Sequence, residues 1–296
     1  MAVCAFIASL YITVPLLCVV LIIGRLYFSV HACGYLLLVL VSMALLPAVD
    51  SRALRTSWVF LAVAKYFSAE ILHDVPAEEL LANPKRYLVA IVPHGLISFG
   101  GLSAAAMDPP IYGPTAAAEI VLRLPFLRHI FGVFSMIRAD KTSIVKTLKR
   151  DNVIVYTGGI AELFLSDRRK EELYLLKRKG FIRAAIAGNA DILPVYLFGN
   201  TQMYEVSHAR WIQVLSRTLR MSLCVYWGRF FSFVPFRTKV LFAVGKPIKV
   251  NISPDTEPTQ LEVDLYHDRF VNEIKRLFDT YKEDLPAYKD KTLTIT

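Results

Sequence analysis

Two long apolar segments open the chain and dominate its hydrophobic pattern. No charged residue occurs over residues 1–24 and none over residues 26–49, so Arg25 stands alone between the segments. A run of about 20 apolar residues is long enough to cross the hydrocarbon core of a bilayer, and helix is the state that satisfies its backbone there. The pattern therefore predicts a transmembrane helical hairpin over residues 1–50.

Two alternatives for this segment are a secretory signal peptide and a buried helical hairpin of a soluble protein. A signal peptide would need an early positive region and a shorter apolar core, whereas the first basic residue here is Arg25. The length of both segments disfavours the soluble hairpin. Because Arg52, Arg55 and Lys65 follow the second segment, the positive-inside bias predicts that both termini are cytosolic.

After residue 50 the pattern changes to shorter elements. Residues 51–72 combine aromatic and basic positions and predict an amphipathic helix at the membrane interface. Short apolar runs that predict strands are then separated by segments with helical signals, which is typical of an α/β sheet. The predicted strands are 87–92, 152–156, 192–198 and 239–244, and a helix is predicted over 180–187.

The last predicted element is an amphipathic helix between Val263 and Tyr281, where apolar residues recur at spacings of three and four. No repeat or linker divides the chain after the hairpin. The predicted fold class is therefore α/β: a transmembrane hairpin over 1–50, a membrane-associated catalytic domain over 51–285 and a loose tail over 286–296.

Composition and charge restrict the partners. The chain is 55% hydrophobic and carries a formal net charge of +9, and its mean hydropathy is +0.44. Basic proteins suit nucleic acids, anionic lipid headgroups or phosphorylated substrates. The predicted membrane anchor disfavours nucleic acid, so membrane lipids and a phosphorylated substrate are the expected partners.

Candidate chemistry lies where two predicted strands end, since ligands of α/β sheets gather at the carboxyl ends of strands. One strand ends at Pro93-His94-Gly95, which presents an imidazole in a turn. The other ends at Gly158-Gly159, and the carboxylate of Glu162 follows on a predicted helical turn. Taken alone, a histidine in a turn or a Gly-Gly pair is more often structural than functional.

Missing motifs narrow the chemistry further. The sequence has no Gly-x-Ser-x-Gly elbow, no Walker loop, no Gly-x-Gly-x-x-Gly and no His-Glu-x-x-His. Cys224 lies in an apolar run without a basic neighbour that would activate its thiol. We therefore expect neither a metal nor a resident cofactor, and a histidine base that acts directly on a substrate hydroxyl needs neither.

Several ordered blocks resemble one family, the acyl-CoA:diacylglycerol acyltransferases of the second type, which also includes monoacylglycerol and wax-alcohol acyltransferases. YLVAIVPHGLISFGG resembles the family's His-Pro-His-Gly block, and NVIVYTGGIAEL is similar to its Gly-Gly-x-x-Glu block. The longest match, LKRKGFIRAAIAGNADILPVYLFGN, resembles its Arg-x-Gly-Phe to Phe-Gly-Glu signature. YWGRF, VGKPIKV and PTQLEVDLYH fit as well. The resemblance runs from about residue 51 to residue 282.

The resemblance implies an enzyme that esterifies diacylglycerol with acyl-CoA as co-substrate. It implies His94 as the base, with Glu162 either orienting the imidazole or hydrogen bonding the acceptor hydroxyl. Related acyltransferases orient the base with Asp from His-x-x-x-x-Asp, but that position is Phe99 here. The remaining residues expected to bind substrate are Pro93, Gly95, Gly158, Gly159, Lys177, Arg178, Gly180, Phe181 and Asn200, of which Lys177 and Arg178 would meet the phosphates of coenzyme A.

The chain departs from the family pattern at three positions. Val92 replaces the first His of His-Pro-His-Gly, Ser68 replaces the Pro of Tyr-Phe-Pro, and Asn200 replaces the closing Glu of the long signature. None of them removes His94. Val92 motivates an alternative of a different class, a non-catalytic membrane or lipid-droplet protein that keeps the fold.

The resemblance also implies a location in the endoplasmic reticulum membrane, with both termini cytosolic, or on lipid droplets. Monoacylglycerol and long-chain alcohols stay open as alternative acceptors, because a lipid tunnel would decide between them. Self-association into a homo-oligomer is left open by the sequence.

Overall fold

A mixed β-sheet forms the centre of the molecule. The computed structural model describes residues 1–109, 111–207, 209, 214 and 224–296. The strands within these residues are β1 (Glu70–His73), β2 (Tyr87–Val92), β3 (Thr115–Ala117), β4 (Met136–Arg138), β5 (Val153–Tyr156), β6 (Glu171–Leu173), β7 (Asp191–Phe198), β8 (Glu205–Val206), β9 (Tyr226–Trp227), β10 (Leu241–Val244) and β11 (Leu293–Ile295). The four predicted strands are thus confirmed as β2, β5, β7 and β10, which agrees with the α/β class.

The helices surround this sheet. They are, over the same residues, α1 (Ala2–Tyr27), α2 (His31–Leu45), α3 (Arg52–Arg55), α4 (Trp58–Tyr66), α5 (Ala77–Leu81), α6 (Phe99–Ala106), α7 (Glu119–Arg123), α8 (Leu127–Gly132), α9 (Lys141–Leu148), α10 (Gly159–Leu163), α11 (Gly180–Ala187) and α12 (Gln260–Tyr281). The predicted helix over 180–187 is confirmed as α11. The predicted C-terminal helix is confirmed as α12, which begins with a capping box between Thr259 and Glu262.

The order and direction of the strands bring three strand ends together. Among the described residues, seven strands form the main sheet in the order β1-β10-β7-β2-β5-β3-β4. In its centre, β2 pairs in parallel with β7 from Tyr87↔Asp191 to Val92↔Tyr196, and in parallel with β5 on its other side. The carboxyl ends of β2, β5 and β7 therefore lie at one edge, and the turns that follow them are neighbours.

Both faces of the sheet are buried, which explains why β2 reads as a continuous apolar run. Successive side chains of a strand point to opposite faces. Tyr87, Val89 and Ile91 pack into a core shared with α1, α4, α6 and α8. Leu88, Ala90 and Val92 pack into a second core shared with α9, α11 and α12.

The N-terminal segment contains one helix long enough to cross a bilayer, whereas two were expected. Of the described helices, α1 alone meets the criteria of length and composition, with 26 residues and a mean hydropathy of 2.7. The second helix, α2, has 15 residues and is only about 22 Å long, against about 30 Å of hydrocarbon. The prediction of a hairpin of two spanning helices is therefore not met, and α1 indicates membrane association.

Two further differences from the predicted domain layout concern residues 51–72 and 286–296. The expected single helix over 51–72 divides into α3, α4 and β1 instead. Ser68 lies in the left-handed region, with φ of 46°, and Glu70 N–H then donates to the Val240 carbonyl at 3.0 Å, so the chain leaves the helix and enters the sheet.

The expected loose tail is ordered. Its strand β11 pairs in parallel with β6, and Tyr288 is buried. Lys291 forms an ion pair with Glu171, with 3.5 Å between Nζ and Oε2. Strand β11 is therefore held by β6, which is distant from it in sequence. Local sequence patterns could not indicate this pairing partner.

Candidate functional site

The site begins in the turn that follows β2. Gly95 adopts φ of +63°, in the left-handed region that favours glycine. A Cβ atom at this position would also lie 2.5 Å from the carbonyl oxygen of Asn200. The positive φ and the close approach of Asn200 therefore both require glycine directly after His94. The turn packs against the residues that follow β7.

The imidazole of His94 is held by the residue next to it. Nδ1 of His94 lies 2.8 Å from the carbonyl oxygen of Gly95. Because a carbonyl oxygen only accepts hydrogen bonds, Nδ1 carries the proton and Nε2 keeps its lone pair. The ring also meets Tyr156 edge-on, with 4.8 Å between the ring centroids. Burial lowers the pKa of His94 below its usual value, so the ring is neutral at neutral pH.

Glu162 lies beside His94, but neither of its carboxylate oxygens hydrogen bonds the imidazole. Its Oε2 atom accepts a hydrogen bond of 2.7 Å from the backbone N–H of His94. The ring partner that we expected Glu162 to be is Gly95 instead. Gly158 leaves room for the carboxylate, because a Cβ atom there would lie 2.2 Å from Cδ of Glu162.

The Glu162 carboxyl group is almost completely buried, with 1% of the residue exposed. Burial raises its pKa to about 7, although the hydrogen bond from the His94 amide and the charge of Arg178 act in the opposite direction. Its second oxygen, Oε1, has no hydrogen-bond partner among the described residues. A buried carboxylate oxygen without a partner is unusual, since buried polar groups are normally hydrogen bonded.

Asn200 fixes the turn from behind rather than facing the imidazole. Its side-chain amide donates to the carbonyl oxygen of His94 and, at 3.4 Å, to that of Pro93. Its Oδ1 atom accepts from Gly100 N–H at 3.1 Å. The residue is 2% exposed, so it acts through the backbone of the turn.

Arg178 is the member of the basic cluster that approaches the Gly-Gly turn. Its guanidinium lies 3.7 Å from the Cβ position of Gly159 and 5.0 Å over the ring of Tyr174. Its Nε atom is buried without a hydrogen-bond partner in the described part of the chain. Lys177 is exposed, while Lys179 forms an ion pair of 2.8 Å with Asp264.

The two remaining predicted residues lie on α11, away from the imidazole. Gly180 is exposed, and in the part of the chain that the structure describes a Cβ placed there meets no atom within 4 Å beyond its own helix backbone and chain neighbours. Phe181 is buried in the second core, where its ring packs 4.8 Å from that of Phe270. Its contacts are therefore those of a core residue. Phe99, at the position of the Asp found in related acyltransferases, is also fully buried.

Sequence reasoning missed Ser98 and Tyr156. The Ser98 hydroxyl donates to the Tyr156 hydroxyl at 2.6 Å, and the Tyr156 ring borders His94. Tyr156 is the last residue of β5, and its place at the carboxyl end of a strand is the signal that could have indicated it.

Several polar atoms near the Gly-Gly turn are buried without partners. Besides Glu162 and Arg178, the hydroxyl groups of Thr157 and Ser166 have none among the described residues. Buried polar groups are normally hydrogen bonded, so such atoms suit the polar groups of a bound substrate. The described residues contain no group of three or more His, Cys, Asp or Glu side chains that could hold a metal ion.

Comparisons with known proteins identify the relatives of this chain. The family model "Diacylglycerol acyltransferase" matches residues 26–296. "Diacylglycerol O-acyltransferase 2" of Xenopus laevis is 30% identical, over 81% of this chain and 73% of its own length. "Diacylglycerol O-acyltransferase 1" of Eremothecium gossypii is 30% identical over 74% of this chain, which spans about half, 52%, of that relative's length.

Human "Diacylglycerol O-acyltransferase 2-like protein 6" is 25% identical, over 82% of this chain and 80% of its own length. Among solved structures, the 1-acyl-sn-glycerophosphate acyltransferase of Thermotoga maritima aligns with 91% of this chain and 96% of its own, at 13% identity and a TM-score of 0.45. A likeness of this size supports no inference about the present chain.

Proposed function

The chain belongs to the diacylglycerol acyltransferase family, and from this premise we propose that it transfers a fatty acyl group from coenzyme A to diacylglycerol, which gives triacylglycerol. The tautomer of His94 carries this proposal. Because the Gly95 carbonyl holds Nδ1–H, Nε2 presents a lone pair at the end of β2. A base of this kind activates a hydroxyl without forming a covalent acyl-enzyme.

The reaction is a direct attack on the thioester. Nε2 of His94 takes the proton of the acceptor hydroxyl while the hydroxyl oxygen forms a bond with the carbonyl carbon. The carbonyl oxygen becomes an oxyanion, and the intermediate collapses when the C–S bond breaks. The departing coenzyme A thiolate then takes the proton from the imidazolium. The lowered pKa of His94 returns the ring to its neutral form for the next turnover.

Two backbone amides are suited to the oxyanion. In the described part of the chain, the N–H groups of Gly95 and Gly158 donate to no protein acceptor. Fixed donors of this kind stabilise charge that develops in the transition state. We assign Oε1 of Glu162, which has no hydrogen-bond partner among the described residues, to the acceptor hydroxyl, which is the second of the two roles considered for this residue.

Arg178 is the residue proposed to meet the phosphates of coenzyme A. Its guanidinium is partly buried beside Gly159 and has an unpartnered Nε atom, and arginine forms strong bidentate hydrogen bonds to phosphate. Lys177 is an exposed neighbour and contributes attraction at longer range. These observations support acyl-CoA as the donor.

The proposed location is the endoplasmic reticulum membrane, with lipid droplets as a second site. The apolar length of α1 supports the anchoring. The basic residues that follow residue 50 support a cytosolic position of the catalytic domain.

The central test measures ester formation by the full chain in microsomes without endogenous neutral-lipid synthesis. Labelled acyl-CoA is supplied with diacylglycerol, monoacylglycerol or a long-chain alcohol. Wild type is expected to form triacylglycerol fastest, and His94→Ala is expected to lower the rate by about 10³-fold or more, because the base is lost. The control is His31→Ala, which removes an exposed imidazole.

The results separate the alternatives. If ester forms only with monoacylglycerol or a long-chain alcohol, the proposed acceptor is wrong and the proposed mechanism stands. No ester with any acceptor would favour the non-catalytic alternative, and full activity of His94→Ala would refute the mechanism. For the donor, Arg178→Ala is expected to raise KM for acyl-CoA about tenfold or more, and Lys177→Ala is expected to raise it by a smaller factor, because an exposed lysine acts only at longer range.

A further inference from the structure

A short hairpin with an aromatic tip projects from the surface at residues 228–234, and we call it the aromatic hairpin. Arg229 N–H donates to the Val234 carbonyl at 2.7 Å, and Gly228 N–H to the Ser232 carbonyl at 2.7 Å. Between them, Phe230 and Phe231 are 78% and 90% exposed. Both have positive φ, 58° and 51°, so the turn holds two phenyl rings outward at a conformational cost.

The base of the aromatic hairpin is firmly held. The hydroxyl of Tyr204 donates to the Phe233 carbonyl at 2.9 Å, and that of Tyr66 donates to the Pro235 carbonyl at 2.8 Å. Tyr226, which precedes the hairpin, is buried and donates to the Ala8 carbonyl of α1 at 2.5 Å. The two exposed rings therefore stand on a rigid support rather than on a free loop.

The surroundings of the aromatic hairpin are apolar on their outer side. The contact with Ala8 attaches it to α1, the helix long enough to cross a bilayer. The contact with Tyr66 attaches it to α4, whose outer face exposes Trp58 (79%) and Leu61 (42%). Large exposed aromatic and aliphatic groups mark interaction sites, and here the elements that carry them contact one another and α1.

Charge accompanies the aromatic tip. The guanidinium of Arg229 lies 5.1 Å over the ring of Phe230, Arg237 is exposed beyond the hairpin, and Lys65 is exposed at the end of α4. In the described part of the chain none of the three forms an ion pair. Aromatic rings flanked by free cations match the interface of a bilayer, where rings enter below the headgroups and cations meet anionic lipids.

We propose that the aromatic hairpin is a second membrane contact, which inserts Phe230 and Phe231 into the interfacial layer of an anionic leaflet beside α1. It holds the catalytic domain at a fixed height and tilt on the membrane, because two separate attachments restrict rotation about α1. The occupant of the surface is lipid. This orientation is independent of the identity of the acceptor alcohol.

The test places a fluorophore at the tip of the full-length protein in vesicles of phosphatidylcholine and phosphatidylserine. The native cysteines are replaced, and NBD is attached to Phe231→Cys or, as the matched control, to Leu261→Cys. Leu261 is 80% exposed but lies on α12, which packs on the opposite face of the sheet. Phosphatidylcholine that carries a spin label near the headgroup then quenches any NBD group that reaches the lipid.

The expected result is quenching at residue 231 at least about twofold stronger than at residue 261, because an interfacial element lies within the headgroup and acyl boundary. Adding Phe230→Asp is expected to reduce the quenching at 231, and so is omitting phosphatidylserine. Equal quenching at the two positions would overturn the proposal. A blue shift at 231 without quenching would also overturn it, because protein rather than lipid would then cover the tip. The readout does not require turnover, so it is separate from the test of the acyltransferase.

Discussion

The backbone amide of His94 and the Oε2 atom of Glu162 are joined by a hydrogen bond of 2.7 Å. This bond connects the turn after β2 with the turn after β5, and it leaves the imidazole to the Gly95 carbonyl. Glu162 therefore fixes the position of the His94 backbone, while the Gly95 carbonyl determines which ring nitrogen carries the proton.

Glu162→Gln is expected to change the pH dependence of kcat/KM. Burial raises the pKa of Glu162 to about 7, whereas burial lowers that of His94. Both groups lose a proton as pH rises. We therefore expect kcat/KM of the wild type to rise first when His94 is deprotonated and again near pH 7 when Glu162 is deprotonated. The variant keeps only the first rise, and its rate at about pH 8 falls about tenfold for the loss of a charged hydrogen bond. Identical profiles from about pH 5 to pH 8 would refute a charged role.

Asn200→Asp tests the amide that supports the turn. The Asn200 amide donates to the His94 carbonyl, and a carboxylate cannot, since it would repel that oxygen. We expect kcat/KM to fall about tenfold or more in Asn200→Asp, because one or two buried hydrogen bonds are lost. The same loss is expected in Asn200→Ala. Steady-state kinetics with thermal unfolding measures this. Wild-type rates in Asn200→Asp would show that the support is dispensable.

Gly158→Ala and Gly180→Ala form a matched pair. A Cβ atom at residue 158 would lie 2.2 Å from Cδ of Glu162, whereas among the described residues one at residue 180 would meet no atom within 4 Å outside its own helix backbone and chain neighbours. The first variant must displace the carboxylate and is expected to lose activity about 100-fold or more. The second should keep its kcat and its stability, because alanine suits a helix better than glycine. Comparable losses in both variants would contradict this account.

Val92→His restores the histidine that the family pattern has at this position. Val92 is completely buried and belongs to the core shared with α11 and α12, on the face of β2 opposite to Ile91. An imidazole placed there loses its hydration. We expect Tm to fall by several degrees, in line with about 2 kcal/mol, without a gain in kcat. A faster and equally stable variant would show that the missing histidine limits the rate.

Lys291→Met tests the ordered tail through its buried partner, Glu171. Burial raises the pKa of Glu171 to about 7, so in the folded protein the group is neutral at low pH and charged at high pH. Charging it without Lys291 is costly, and we expect about 3 kcal/mol of lost stability at about pH 8 but little at about pH 5.

The double variant Glu171→Gln with Lys291→Met completes a double-mutant cycle for the ion pair that holds the tail. It is expected to recover most of the lost stability at about pH 8, because neither partner is then left charged and buried. Denaturant unfolding at the two pH values measures the free energies. A loss in Lys291→Met that does not depend on pH would contradict the ion pair.

Much of the fold and the position of the site could be predicted from local patterns. The apolar runs were sufficient to predict β2, β5, β7 and β10, because both faces of the sheet are buried. The spacing of apolar residues was sufficient to predict α12. Two strand ends were sufficient to indicate His94 and Glu162, since parallel strands end at one edge. The short α2 was mispredicted because apolar composition does not show where a helix ends.

The family, the central sheet and the candidate base His94 in its turn follow from the amino-acid sequence alone. Tertiary packing was needed to show that Glu162 binds the backbone of His94, that Asn200 supports the turn from behind, and that Phe181 belongs to the core. It also decided that the C-terminal tail joins β6. These contacts connect residues far apart in sequence, and their partners depend on how separate elements pack, which no local periodicity or motif encodes.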